Sequence, residues 1–324
     1  VVSKGENDQV TAGMTRREVA DLPDGEVLIR VQFSSLNYKD ALAATGRPGV
    51  ARKFPHIPGI DAAGEVAETA VPQFQPGQKV LVTGYDLGAG RWGGWGEYVR
   101  VPAEWVIPLP EGLSLVDSMR LGTAGFTAAL SVDAIKRHEI APGSGEIVVT
   151  GATGGVGCLA VRILAKLGYA VVAVTGKASR HAWLKELGAK RVIGRADVDV
   201  KGGNPLLKAV WAGAVDTVGG NTLATILRTT EIGGCVTACG LVGGIDLQTT
   251  VFPFILRGVT LSGIDTGWTR REKRLETWRR LASEWKPEGL AALSQTVELP
   301  QVDAPVKRIL AGEIVGRTVV HVAD

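Results

Sequence analysis

Over the first third of the chain, apolar positions come in short runs cut by Gly and Pro, as in EVLIRVQFSS, AAGEVAETA, QKVLVTG and GEYVRVP. That punctuation predicts short strands of a compact, mostly β, barrel-like unit over residues 1 to about 110. From about residue 121 the texture changes. Continuous Val/Ile/Ala/Cys runs (GEIVVTG, AVVAVTG, KRVIG, AVDTVGG, GCVTACG, VTLSGID) now alternate with helical stretches. Unbroken apolar strands with helices between them predict a doubly wound parallel sheet covered on both faces. TRREKRLETWRRLASEW reads as a basic helix, and DAPVKRILAGEIVGRTVVHV as a last helix and strand returning to the first unit. The expected fold class is α/β. A mostly-β domain takes residues 1–120 and 267–324, and the parallel-sheet domain takes 121–266.

Within this frame the stretch VVTGATGGVG, residues 148–157, carries the strongest chemical signal. EIVVT supplies a strand before it. GGVGCLAVRILAKLG supplies a helix after it, with Val156, Leu159, Ala160, Ile163, Leu164 and Leu167 on one stripe. Gly154, Gly155 and Gly157 let backbone N–H groups approach a pyrophosphate, and the helix N-terminus favours its negative charge. The loop is expected to bind a dinucleotide. An NAD site would place an acid at the end of the next strand, about 20 residues on, to read the ribose 2′-OH. AVTGKASR has none there, and the first acid is Glu186, inside a helix. Thr175, Gly176, Lys177 and Arg180 occupy that turn, and Arg191 starts the third strand. These cations suit a 2′-phosphate, so NADPH is the expected cofactor. The competing reading makes them solvated surface.

Composition narrows the partners. Lys+Arg at 36 against Asp+Glu at 33 gives +3, too mild to argue for nucleic acid. Cys158, Cys235 and Cys239 make an odd set with no disulfide framework, which favours a reducing, cytoplasmic compartment. The spacing of Cys235 and Cys239 fits neither a zinc knuckle nor a redox pair, so they read as buried thiols. No apolar run reaches about 18 residues, so no membrane span is expected. The opening VVSKGEND shows neither an initiator Met nor a signal-peptide pattern, and VV reads as the tail of a first strand lacking a few leading residues.

The motifs SSLNYKDALAATG, FPHIPGIDAAGEV, WGGWGEYVRVP, GTAGFTAAL, GEIVVTGATGGVG, WAGAVDTVGG and TVFPFILRGV together resemble the medium-chain dehydrogenase/reductase superfamily. Within it they resemble the zinc-independent quinone-oxidoreductase branch, and most closely its acrylyl-CoA reductase group, over essentially the whole chain. The resemblance implies a GroES-like first domain, a Rossmann second domain, a homodimer, and NADPH-dependent reduction of acryloyl-CoA to propanoyl-CoA. It places Tyr38 at the nicotinamide, Thr153, Gly154, Gly155 and Val156 at the pyrophosphate, and Thr175, Gly176, Lys177 and Arg191 at the adenosine phosphate. Leu241, Ile264 and Arg317 would complete the cleft. The zinc alcohol dehydrogenases of the superfamily carry a Cys and a His-Glu pair where this chain has NYKD and GID (59–61). With four scattered histidines (56, 138, 181, 321) besides, no metal is expected.

Reduction of an enoyl thioester places negative charge on the thioester oxygen and needs a proton at the α-carbon, so the site requires donors and an acid or water. In LNYKD, Asn37 and Tyr38 are the candidate catalytic donors, with Lys39 and Asp40 to orient them. Tyr38 reads equally as a ring packed on the nicotinamide. Asp40 reads equally as a helix-start residue, and Tyr85 is a further loop candidate. Arg47, Arg52 and Lys53, on the Gly/Pro-bearing loop TGRPGVARKF, are candidates for CoA phosphates of a short enoyl-CoA substrate. Two other functions fit the same cofactor site: an NADPH:quinone oxidoreductase, and a non-catalytic NADPH-binding protein.

Overall fold

The computed structural model describes residues 1–324 except Glu6, Asp8 and Arg52. It contains two compact units: Val1–Thr123 with Thr266–Ser283 and Gly289–Asp324, and Ala124–Asp265 with Glu284–Glu288. Residues 284–288, which the sequence pattern assigns to the first unit, thus belong to the second.

The first unit is built on a seven-stranded sheet. Its order is Ser294–Glu298, Arg317–His321, Val27–Leu36, Asp61–Thr69, Lys79–Thr83 and Ile107–Pro108, with Tyr98–Val101 also pairing Val27–Leu36. Alternate residues Val27, Ile29 and Val31 enter a core with Val66, Val80, Val82, Val99, Val101 and Trp105. Burial of each such side chain is worth about 1.5–3 kcal/mol, and the period of two decides which face turns inward. The C-terminal strand does return to this sheet, pairing Val320 with Ser34 and Val319 with Ser35. One end of the sheet is polar and still fully buried, since Ser34, Ser35 and Asp61 have no exposed surface. Asp61 there lies opposite Thr83 in the ladder.

Leu115–Arg137 is helical on either side of Gly122, whose φ of 51° and ψ of −156° interrupt it. Only glycine adopts that conformation without strain. The missing side chain also matters, because a Cβ there would lie 2.5 Å from Asp61 Oδ2 and 2.9 Å from Arg317 Nη2. The break lets the chain close against the polar end of the sheet.

The second unit carries a six-stranded sheet in the order Arg191–Ile193, Ala170–Val174, Glu146–Val149, Trp211–Asp216, Thr230–Ala238, Thr260–Gly263. Every neighbouring pair is parallel. Counted along the chain this is 3-2-1-4-5-6, so the direction of winding reverses between the first and fourth strands. In such sheets the ligand crevice opens at the carboxyl ends of the strands, at that reversal. The helix Gly155–Lys166 buries Leu159, Ala160, Ile163 and Leu164 as its stripe predicts, and Cys158 and Val161 besides. Among the described residues no helix is long and apolar enough to cross a membrane.

Gly122→Ala should destabilise the protein by about 2 kcal/mol or more, combining backbone strain with overlap on Asp61. A urea titration of the two proteins checks this, and an unchanged midpoint would show that the break is tolerant.

Candidate functional site

The glycine loop stands where the winding reverses. Gly157 packs so closely on the loop that a Cβ would lie 2.3 Å from the Gly151 carbonyl, and no side chain caps the helix at Gly154. The first N–H groups of a twelve-residue helix are thereby left for an anion. Asp216, which the sequence reading passed over, organises the other side of the reversal. Its carboxylate accepts from Thr150 Oγ1 and the Gly219 N–H, both at 2.7 Å. Burial pushes its pKa up, while these donors hold it down. Leu241 and Ile264 lie just past the fifth and sixth strands, with the Ile264 N–H donating to Ala238 at 3.0 Å. Both therefore stand at the carboxyl edge.

The turn expected to meet the adenosine phosphate differs from expectation in one residue. Thr175 is buried, and its hydroxyl lies 3.4 Å from that of Thr153 and accepts from the Lys177 N–H at 3.1 Å. Arg191 is elsewhere. It begins its strand beside Val172, whereas the Thr175 N–H reaches the carbonyl of Ile193 at the strand's far end. Its guanidinium pairs with Glu146 at 2.6 Å and lies 5.3 Å from the Trp211 ring. Since Glu146 begins the first strand, Arg191 belongs to the edge opposite the glycine loop, and its assignment to the adenosine phosphate is corrected. Arg195 is the arginine that stands at this turn. A Cβ on Gly176 would lie 2.8 Å from Arg195 Nε, so the bare glycine lets this exposed side chain pack on the Thr175–Lys177 turn. Counting to the end of the third strand, instead of its start, would have found Arg195. The turn fits an anionic ribose: it offers a hydroxyl, cations and no acid.

In the first unit the candidate donors meet two buried carboxylates. Asn37 precedes the helix Tyr38–Ala44, and its N–H donates to Asp40 Oδ2 at 2.8 Å. Asp40 Oδ1 accepts from the N–H groups of Ile60 at 2.7 Å and Gly59 at 3.1 Å. Asp61 accepts from Ser35 Oγ at 2.5 Å, Asn37 Nδ2 at 2.8 Å, and the Thr123 hydroxyl and N–H at 2.6 and 2.9 Å. Arg317, only 3% exposed, donates to Asn37 Oδ1 and Leu36 at 3.3 Å and to Arg120 at 3.0 Å. The amide of Asn37 is thus consumed. Its Nδ2 serves Asp61, Asp40 and Ser35, and its oxygen serves Arg317. It cannot also polarise a substrate, so Asn37 is corrected from catalytic donor to positioning residue. Tyr38, next along, is 38% exposed and open to a ligand.

The groups that converge here are donors rather than metal ligands, since hydroxyls, an amide and an N–H group all point at Asp61. Lone-pair acceptors, which a cation needs, are already engaged. His56 is also structural, with Nε2 2.9 Å from the Gly88 carbonyl. On the loop beyond the helix, Arg47 is exposed. Lys53 lines a cavity of about 400 Å³ with Asp24, His56, Arg91 and Trp92. Arg52 lies outside the described residues.

Two family models match the chain: the alcohol dehydrogenase GroES-like domain over residues 23–111 and the zinc-binding dehydrogenase over 155–283. Among relatives, the probable acrylyl-CoA reductase AcuI of Escherichia coli (strain K12) is 46% identical, covering 98% of this chain and 97% of its own. The putative quinone oxidoreductase YhfP of Bacillus subtilis (strain 168) is 45% identical over 97% and 95%. The crystal structure of E. coli K-12 YhdH with bound NADPH superposes with a TM-score of 0.96 at 46% identity, covering 99% of both chains.

Burial, and then the neighbouring Asp61 charge, push Asp40 up to about 7 against the pull of the Asn37 and Ile60 donors. A carboxyl raised on folding holds a proton that the unfolded chain releases, so its contribution is complete below about pH 4 and lost as pH rises towards 7. Asp61→Asn removes the second cause. Between pH 4 and 8 its stability should decline less steeply than the parent's, each measured by urea midpoint. Parallel curves would show that the two carboxylates do not sense each other.

Proposed function

Because the chain belongs to the medium-chain dehydrogenase/reductase superfamily, among its acrylyl-CoA reductases and quinone-oxidoreductase homologues, we propose that it uses NADPH to reduce the C=C bond of acryloyl-CoA, giving propanoyl-CoA. Full-length likeness to AcuI carries the substrate. The acid-free turn with Arg195 packed on Gly176 carries the cofactor.

Thr153, Gly154, Gly155 and Val156 hold the pyrophosphate at the helix start. Thr175, Gly176, Lys177 and Arg195 hold the 2′-phosphate, while Leu241 and Ile264 complete the binding surface; Arg317, buried against Asn37, Leu36 and Arg120, steadies the segment before Tyr38 instead. NADPH, when bound, would supply a hydride to the β-carbon of the enoyl thioester, and the proton for the α-carbon would come from water. Tyr38 is assigned as donor to the thioester oxygen, where charge develops. Asn37 and Asp40 fix the helix start that carries it. Arg47 and Lys53 are assigned to the CoA phosphates, which lets remote binding energy position the reacting atoms. We assign the enzyme to the reducing cytoplasm, consistent with three cysteines joined by no disulfide.

The assembly proposed is a homodimer. Ile232, Val242, Ile245 and Ile255 of the second unit are all more than half exposed, and the strand Thr260–Gly263 ends its sheet. A second copy would cover these side chains and the open strand edge. Light scattering should read two chains for the parent and one for Ile245→Glu; equal masses would remove this face as the contact.

Quinone reduction is the second reading, favoured by the likeness to YhfP. NADPH oxidation followed with acryloyl-CoA and with a small quinone separates them. The proposal expects kcat/KM to favour the thioester, and the reverse order replaces it with the quinone reading.

The two arginines give a sharper check. Arg195→Ala should raise KM for NADPH about tenfold and leave NADH unchanged, the loss of one charge-assisted hydrogen bond discounted for exposure. Arg191→Ala should leave both constants alone and cost about 1 kcal/mol of stability through its pair with Glu146. Interchanged effects would restore Arg191 to the cofactor.

A further inference from the structure

Two loops of the first unit meet in an aromatic corner to which the reaction above gives no role. One follows the strand Lys79–Thr83, whose last residue lies opposite Asp61. The other, residues 266–270, follows Ile264. Tyr85, on the first loop, has φ 52°, a left-handed conformation that a bulky residue keeps only when its surroundings impose it.

Here three contacts impose it. The Tyr85 N–H donates to the Gly267 carbonyl at 3.0 Å. Its ring stacks on Trp105, with centroids 4.9 Å apart and planes 1° from parallel. The guanidinium of Arg274 lies 4.3 Å from the same ring. Arg274 is itself wholly buried, and it donates to Thr83 and Thr266 at 2.7 Å and to Gly267 at 3.2 Å. One side chain therefore ties the two loops together while covering the tyrosine between them.

Trp268 is what this arrangement presents. Its indole meets Tyr85 edge-on, 6.0 Å between centroids at 85°, and is nevertheless 64% exposed. A single exposed indole is ordinary. An exposed indole backed by a strained, arginine-clamped ring is not, because the clamp prevents it from yielding to whatever meets it. Its loop follows Ile264 by two residues, and its partner loop leaves the strand end that carries Asp61. The first connection leads to Ile264 of the proposed cofactor surface, and the second to the buried carboxylate that Asn37, at the start of the Tyr38 helix, donates to.

We propose that Trp268 is a specificity-determining residue, a rigid wall that limits the acyl group of the enoyl thioester. The inference rests on the reductase reading. Acryloyl carries no carbon beyond its β-carbon, so it reacts without meeting the wall. Each further methylene on the β-carbon must displace an indole that Tyr85 and Arg274 hold in place.

The test compares kcat/KM for acryloyl-CoA, crotonyl-CoA and 2-hexenoyl-CoA in the parent, Trp268→Ala and Trp268→Phe. The parent should fall steadily along the series. Trp268→Ala should raise the hexenoyl-to-acryloyl ratio at least about tenfold, the scale of discrimination for a methylene in an apolar pocket, with Trp268→Phe between. Because the ratio is taken within each enzyme, a partial loss of folded protein cancels. An unchanged ratio, with acryloyl-CoA still reduced, overturns the wall and leaves the reductase reading standing. A parent that reduces all three equally does the same. A parent that reduces none of them overturns both.

Discussion

Two carboxylates with no access to water must be accommodated at one end of a β-sheet. Most of the first unit's local geometry answers that demand. Asp40 and Asp61 are both wholly buried, and an ion in that state persists only when hydrogen bonds replace its hydration. The answer is a closed set of donors. Backbone N–H groups of Asn37, Gly59, Ile60 and Thr123, hydroxyls of Ser35 and Thr123, and the Asn37 amide all converge. Asn37 is the bridge, touching both carboxylates and accepting from Arg317. Fixing these partners fixes the first turn of the helix, and so the place of Tyr38. A glycine at position 122 is part of the same solution, since any side chain there would occupy the space of the cluster.

The second unit works on a different principle. Its parallel strands all end on one edge, so a residue's function depends on where in its strand it falls. Arg191 and Arg195 are four positions apart, at opposite ends of one short strand. The first pairs with Glu146, and the second meets the Thr175–Lys177 turn. Charge alone does not distinguish them.

That pair marks what the sequence made legible. The strand runs, the Gly154–Gly157 loop and the stripe on Gly155–Lys166 depend on near neighbours, and periodicity reveals them. The mostly-β unit and its returning C-terminal strand were readable for the same reason. The register of Arg191–Ile193 against Ala170–Val174 depends on a tertiary pairing, so the assignment slipped along the strand. The role of Asn37 was hidden in the same way. As a side chain it offers a donor, and only the positions of Ser35, Asp61 and Arg317, which converge from distant segments, show that the donor is already engaged. Asp216 gave no signal beyond following an apolar run, because its partners Thr150 and Gly219 become neighbours only through the sheet.

The coupling between Asn37 and the buried Asp61 carboxylate gives the most direct test. A double-mutant cycle of Asn37→Ala and Asp61→Asn, read by urea unfolding at pH 7, measures it without reference to any substrate. If Asn37 satisfies Asp61 as described, the losses should be non-additive by about 1 kcal/mol or more. Additive losses would contradict this, because they would mean that Asp61 does not depend on the Asn37 amide 2.8 Å from it.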